Sequence, residues 1–348
     1  MDSRARTIDL FCGAGGLTAG LEKEGLVVAA GVDMDPACRF PYEENNRARF
    51  HERDVGDLDG DDLREWWGDA EVRILVGCAP CQPFSRYTQG RSASTDERWR
   101  LLEKFAELIE ETKPDIVSME NVEALLKHEV HADFVATLRS HGYHIDENVV
   151  QCSDYGVPQM RRRLVLLAAQ DQEIHLLTPL EFGQTPTTVR EEIGDLPRLA
   201  AGETDPGDRL HKASALSKLN LRRIRASVPG GTWRDWHANL RAPCHRRAEG
   251  QGYGSVYGRM EWDRIAPTMT TQAYAFGSGR FGHPEQDRGL SLREAAILQT
   301  FPRKYAFLDD DEPVIMKTIG RLIGNAVPVR LGQVIGRSIL RTLDMVPA

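Results

Sequence analysis

The chain has 348 residues, 41% of them hydrophobic, enough for one large or two modest domains with a real core, and it holds no apolar run of membrane-spanning length. Six cysteines are too few for a disulfide scaffold, and the start, MDSRARTIDLF, carries no apolar leader, so the expectation is a cytoplasmic protein that does not engage membranes. The net charge of −8 argues mildly against a nucleic-acid binder, yet the segment from Arg209 to Arg264 holds 12 Lys and Arg against 4 Asp and Glu.

The first 170 residues alternate in character. RTIDLF reads as a strand, followed by a glycine turn and by LTAGLEKEG as a helix stopping at Gly25. LVVAAGVD is a second strand with a helix opening near Pro36, and HERDVGDL brings a further short strand to Asp54. VRILVG is a buried strand. ERWRLLEKFAELIEE places Trp99, Leu102, Phe105, Ala106 and Ile109 at helical spacing. PDIVSME is a strand, VHADFVATLRSHG a helix, and YHIDENVV and RRLVLLAA are two more strands. Strand and helix in turn predict an α/β fold with a doubly wound, mainly parallel sheet. Near residue 180 the rhythm stops. Residues 181–290 are rich in Gly, Pro, Thr and Arg and read as a second, smaller, irregular domain. Helical pattern returns at SLREAAILQTFP, and a terminal amphipathic helix follows Pro328. The basic segment interleaves its cations with Trp233, Trp236, Tyr253, Tyr257 and Trp262, a mixture suited to a loop-rich surface facing phosphates, although many charge runs are simply solvated.

Ligands of open parallel sheets bind at the carboxyl ends of the strands. Those ends carry the glycines of FCGAGG, then Asp33, Asp54, the stretch GCAPCQPFS, and Glu120 with Asn121. The glycine turn offers Gly13, Gly15, Gly16 and Gly20, but Thr18 stands where a dinucleotide fingerprint would have its third glycine. Asp33, 20 residues beyond Gly13, is placed to accept ribose hydroxyls. A nucleoside-containing cofactor is expected, without a required pyrophosphate. Cys78 and Cys81 could be a redox pair, half a metal site or a lone nucleophile. Pro83 and the polar run after it discourage the helix a redox pair opens, and no second ligand pair is spaced for zinc, so no metal is expected. Cys81 on its proline-stiffened turn remains open between nucleophile and inert thiol, and Cys78 reads as buried packing. Glu120 could exchange a proton with a substrate or simply cap the next helix. Arg161 and Arg163, two apart, would share one face of an extended segment and could hold an anionic or carbonyl group, or form a basic strand edge.

Taken in this order, the pieces resemble the DNA (cytosine-5)-methyltransferase family. DLFCGAGGLTAGL is similar to its cofactor loop, APCQPFS to its Pro-Cys-Gln motif, ENV to its Glu-Asn-Val motif, and Gln159, Arg161 and Arg163 to its Gln-x-Arg-x-Arg motif. RIAPTMTT and IGNAVPV match its last two blocks, so the resemblance runs from about residue 7 to 345. Cys78-Ala79 departs from the Gly-Pro often found before the Pro-Cys pair.

The resemblance implies a Rossmann-like methyltransferase fold, with a catalytic domain of residues 1–180 plus 300–348 and a target-recognition domain and hinge over 181–299. It implies S-adenosylmethionine as methyl donor, lined by Phe11, Gly13, Gly15 and Leu17, with Asp33 on the ribose. Asp54 and Val55 would meet the adenine, Pro80 would lie alongside, and Asn325 and Val327 would return to close the pocket. Cys81 would attack C6 of a cytosine flipped out of duplex DNA, Glu120 would bond ring N3 and the amino group, and Arg163, with Arg161 nearer the backbone, would hold the ring carbonyl. The loop 82–97 would close over the base. The implied partners are double-stranded DNA and a cognate restriction endonuclease, with a monomeric enzyme in a bacterial cytosol. A tRNA-directed relative and a DNA-binding relative without activity are the rival readings.

Overall fold

A computed structural model describes residues 4–80 and 99–344. Cys81 and the loop 82–97 lie outside the described residues. In chain order the strands are β1 (Ala5–Leu10), β2 (Val27–Asp33), β3 (Arg49–Glu52), β4 (Val72–Gly77), β5 (Ile116–Asn121), β6 (His144–Gln151), β7 (Gln159–Met160), β8 (Arg162–Ala169), β9 (Thr204–Asp205), β10 (Asp208–Lys212) and β11 (Ala266–Pro267). The helices are α1 (Gly16–Glu24), α2 (Arg39–Asn45), α3 (Gly60–Trp67), α4 (Arg100–Thr112), α5 (Glu129–Ser140), α6 (Pro179–Phe182), α7 (Val189–Ile193), α8 (Lys218–Ala226), α9 (Leu292–Leu298), α10 (Met316–Asn325) and α11 (Val329–Thr342).

Seven strands form one sheet in the order β3-β2-β1-β4-β5-β8-β6. Neighbours from β3 to β5 pair in parallel, and β8 runs antiparallel to both β5 and β6. The expected mainly parallel, doubly wound sheet is therefore present. Its central strands are buried on both faces; every residue of β5, IVSMEN, is buried, as parallel strands covered by helices require. Helix α4 turns Leu102, Phe105, Leu108 and Ile109 inward, and Phe105 meets Phe134 of α5 edge-on with ring centres 5.4 Å apart. Trp67 is wholly buried and donates its indole N–H to the Ile74 carbonyl at 3.1 Å. The chain order reverses between β1 and β4, the point where such sheets bind ligands.

The chain divides into two compact units. One comprises the chain up to Tyr155, Arg162–Gln184 and the chain from Ala326 onward; the other comprises Gly156–Arg161 and Thr185–Asn325. The sheet unit is thus discontinuous, but residues 300–325, expected with it, cluster with the second unit. The return is locked by close helix packing: a methyl group on Gly20 would collide with the Val329 carbonyl and with Gly332, so α1 and α11 meet backbone to backbone. Glu24 at the end of α1 accepts from Gln333 Nε2 at 2.7 Å and Arg337 Nε at 2.8 Å. Gly20 therefore belongs to a helix–helix contact and not to the cofactor turn. No helix among the described residues is long and apolar enough to cross a membrane.

Candidate active site

Strand β1 delivers the chain into a turn whose conformations suit it to a bound ligand. Phe11 and Gly13 have φ of 60° and 53°, and Gly15 follows at 85°. Left-handed backbone is strained for a residue such as Phe11 and costs nothing at glycine. Among the described residues a Cβ at Gly13 would meet no heavy atom within 4 Å, so they leave this part of the turn open to an incoming group. Asp33 at the end of β2 accepts from Gly13 N–H at 3.0 Å and from Asp35 N–H at 2.9 Å, tying the turn to the second strand. Asp54 similarly accepts from Gly56 N–H at 2.8 Å at the end of β3. Asp33 and Asp54 are half-buried, whereas Leu17 and Val55 are buried. Two acids at strand ends and a glycine turn fit a nucleoside.

Thr18 has its own task. Its hydroxyl donates to Asp9 Oδ2 at 2.6 Å and lies 3.0 Å from the Tyr42 hydroxyl, all three side chains being buried. A glycine there would leave Asp9 without that donor. Burial pushes the Asp9 carboxyl up to about 7, the Thr18 bond opposing the rise and the Asp33 charge adding to it. Burial, then Asp9, also pushes the Cys12 thiol well up, so Cys12 stays protonated. The Asp9 shift has a pH consequence. Up to about pH 4 the folded and unfolded chains both hold the Asp9 proton. From there to about 7 the unfolded chain ionises while the folded chain does not, so stability declines as pH rises through that window. Asp9→Asn should remove this dependence while keeping an acceptor for Thr18. The melting temperature of the variant, relative to the parent, is expected to climb between pH 5 and 8; a constant difference would contradict the assignment.

The ends of β4 and β5 form the second part of the site. Cys78 N–H donates to the Leu10 carbonyl at 3.3 Å, so the turn after β4 stays in register with β1. Asn121 Nδ2 donates to the Ala79 carbonyl at 3.2 Å, and Val122 N–H donates to Asn121 Oδ1 at 2.8 Å. The dipeptide before Pro80 is therefore stitched to the end of β5. Glu120 is 2% exposed. Its Oε1 lies 3.0 Å from Arg163 Nε on the paired strand β8, and its Oε2 accepts from Cys78 Sγ at 2.8 Å. Cys78, expected as buried packing, is half-buried and bonded to the central carboxylate. Pro80 is exposed.

The Arg161 N–H bonds back to the Gln159 carbonyl at 2.8 Å, a three-residue turn at the end of β7. Arg163 stays with the sheet. Arg161, in the second unit, is buried and donates from Nη1 to the Met269 carbonyl at 3.3 Å. Gln159 is a fully buried connector there: it donates to the Leu298 carbonyl at 2.9 Å and accepts from Met269 N–H at 2.9 Å. Asn325 ends α10 in the second unit and is exposed, whereas Val327 is buried in the sheet unit.

The second unit corrects the reading of its aromatic residues. Trp233 and Trp236 are 3% and 2% exposed and pack with Ile224, Leu240 and Phe276 in a small core. Arg223 lies over the rings of Trp236 and Tyr257. Tyr257 and Trp262 are half-buried, and only Tyr253 of the five is exposed. The cations divide likewise. Arg259 is buried and bonded to the carbonyls of Ile224, Ser227, His283 and Gln286. Lys218, Arg222, Arg247 and Arg264 are exposed, and among the described residues no acid pairs with them. Cys244 is exposed, while Cys38 and Cys152 are buried.

Glycine turn, acid-ended strands and a buried carboxylate beside the β4 turn, on this sheet order, define an α/β protein of the Rossmann-like methyltransferase architecture. Solved structures agree in fold. The Schizosaccharomyces pombe Dnmt2 methyltransferase superposes with a TM-score of 0.69 at 16% identity, covering 97% of this chain and 99% of that one. The Entamoeba histolytica methyltransferase EhMeth gives 0.68 at 14% identity, over 98% and 99% of the two chains. The sequence goes further. The profile of C-5 cytosine-specific DNA methylases matches residues 5–341, and the chain belongs to that family. It is 52% identical over 340 residues to the Type II methylase M.HgiDII of Herpetosiphon aurantiacus, covering 97% of this chain and 95% of that protein. To the Type II methyltransferase M1.HphI of Haemophilus parahaemolyticus it is 30% identical, over 96% and 86%.

Proposed function

We propose that the chain transfers a methyl group to C5 of a cytosine in duplex DNA, with S-adenosylmethionine as the donor. The observation that carries this reading is the carboxylate of Glu120, buried at the end of β5, faced by Arg163 and fastened to the turn that leads into Cys81. Membership of the C-5 cytosine-specific DNA methylase family supports the same reaction.

When bound, S-adenosylmethionine would supply an electrophilic methyl carbon. Phe11, Gly13, Gly15 and Leu17 would line it, Asp33 would accept the ribose hydroxyls, Asp54 and Val55 would meet the adenine, and Pro80, Asn325 and Val327 would complete the pocket. The protein's own work is on the cytosine. C5 is a poor nucleophile. Addition of the Cys81 thiolate to C6 pushes electron density to C5, which then takes the methyl group. Glu120 would bond N3 and the exocyclic amino group as charge builds on the ring, and Arg163 would hold the ring carbonyl. Arg161 acts further back, fixing the segment that leads into β8. Loss of the C5 proton lets the C6–sulfur bond break and returns the thiolate. The target atoms are inaccessible inside a duplex, so the base must be extruded. The exposed cations of the second unit would grip phosphates, and a cognate endonuclease reading the same site is the expected companion of a Type II enzyme.

The test is transfer of tritiated methyl from S-adenosylmethionine to duplex DNA and to tRNA. Label in a defined DNA sequence, absent from tRNA, is expected; label in tRNA alone would overturn the substrate assignment.

A further inference from the structure

We propose that Cys78 is a positioning residue that sets the orientation of the Glu120 carboxyl. The inference rests on the reading of Glu120 as the group facing the cytosine ring. Cys78 stands just past β4, and its half-buried thiol donates to Glu120 Oε2 at 2.8 Å. The other oxygen, Oε1, is buried beside Arg163 Nε at 3.0 Å, yet among the described residues it accepts no bond of hydrogen-bonding geometry. The thiol bond is therefore the contact that fixes the rotation of the carboxyl, while Arg163 supplies charge.

The chemistry of the donor suits this task. A neutral S–H is a weak donor. It selects an orientation for the carboxyl without adding a second charge beside the Arg163 guanidinium. The same turn is stitched a second time through its backbone, by Asn121 Nδ2 on the Ala79 carbonyl at 3.2 Å. Two consecutive residues of the turn thus grip two consecutive residues of β5. The backbone grip aims the Pro80-Cys81 pair, and the side-chain grip aims Glu120. Cys78 therefore couples the placement of the nucleophile's turn to the placement of the carboxyl.

The experiment compares Cys78→Ala, Cys78→Ser and Glu120→Gln in single-turnover methyl transfer across pH, with binding of duplex DNA and of S-adenosylmethionine measured alongside. Cys78→Ala is expected to lower the rate about tenfold, the scale of one hydrogen bond to a charged group. It should shift the pH profile of the rate and leave both affinities unchanged. Cys78→Ser, which keeps an O–H donor, should recover most of the loss. A Cys78→Ala enzyme with parental rate and pH profile, or a serine variant no better than alanine, overturns the proposal. A Glu120→Gln enzyme at the parental rate would instead overturn the reading of Glu120, and the two failures are distinguishable.

Discussion

Cys81→Ala is expected to lower methyl transfer to DNA by about 10⁴-fold or more, the scale of losing a covalent nucleophile. Glu120 and Arg163 would still hold the ring, but neither can make the covalent bond that turns C5 into a nucleophile. Loss of the thiolate removes the reaction path, not one contact along it. Duplex binding should change little, because phosphate contacts by exposed cations dominate affinity and Cys81 carries no such charge. The measurement pairs methyl transfer with a binding isotherm at fixed salt. Transfer within about tenfold of the parent would contradict the role of Cys81 in covalent catalysis.

The second large effect concerns stability. Arg288 is 0% exposed and Glu294 is 1% exposed. They are joined bidentately, Nη1 to Oε2 and Nη2 to Oε1, each at 2.7 Å. Burial alone would push the Glu294 carboxyl up, but the Arg288 bonds and charge outweigh it and hold the group at about 2. Arg288→Met is expected to cost about 3–5 kcal/mol, because it leaves an unpaired charge in the interior. Arg288→Met with Glu294→Gln should recover much of that loss, since glutamine is uncharged and can keep the bond from Ser291 N–H, 2.7 Å long in the parent. The pH dependence follows in sign. The Glu294 contribution is present above the ordinary carboxylate value near 4.5 and is lost as pH falls toward about 2. The gap between parent and Arg288→Met should therefore narrow below pH 4.5. Equal denaturation midpoints for parent and single variant at neutral pH would refute the account of this pair.

The sheet was legible because its signals are local. A window such as VRILVG or ERWRLLEKFAELIEE carries its own periodicity, and the carboxyl ends of successive strands converge whatever the details of their loops. Asp33 and Glu120 stand where such windows end, at the carboxyl ends of β2 and β5. Other features depend on contacts that no window contains. Thr18 looked like a missing glycine until Asp9 and Tyr42, 9 and 24 residues away, closed around its hydroxyl. Gly20 looked like part of the turn, yet its reason is Gly332 on α11. Composition was the weakest guide: Trp233 opens a three-residue 3₁₀ turn and Trp236 follows it, amid arginines and in a stretch too brief for any period to reveal that both are buried. The thiol of Cys78 had no signal at all, since a cysteine near a strand end is most often packing.

The covalent step is the centre of the account, and trapping tests it most directly. The full chain is incubated with S-adenosylmethionine and with duplexes carrying 5-fluorocytosine within its methylation site, and the product is denatured and digested. The fluorine cannot leave as a proton does, so the C6–sulfur bond persists. The account predicts a denaturant-stable protein–DNA adduct whose modified peptide contains Cys81, absent with Cys81→Ala. An active preparation that yields no adduct, or one joined through another residue, would contradict it.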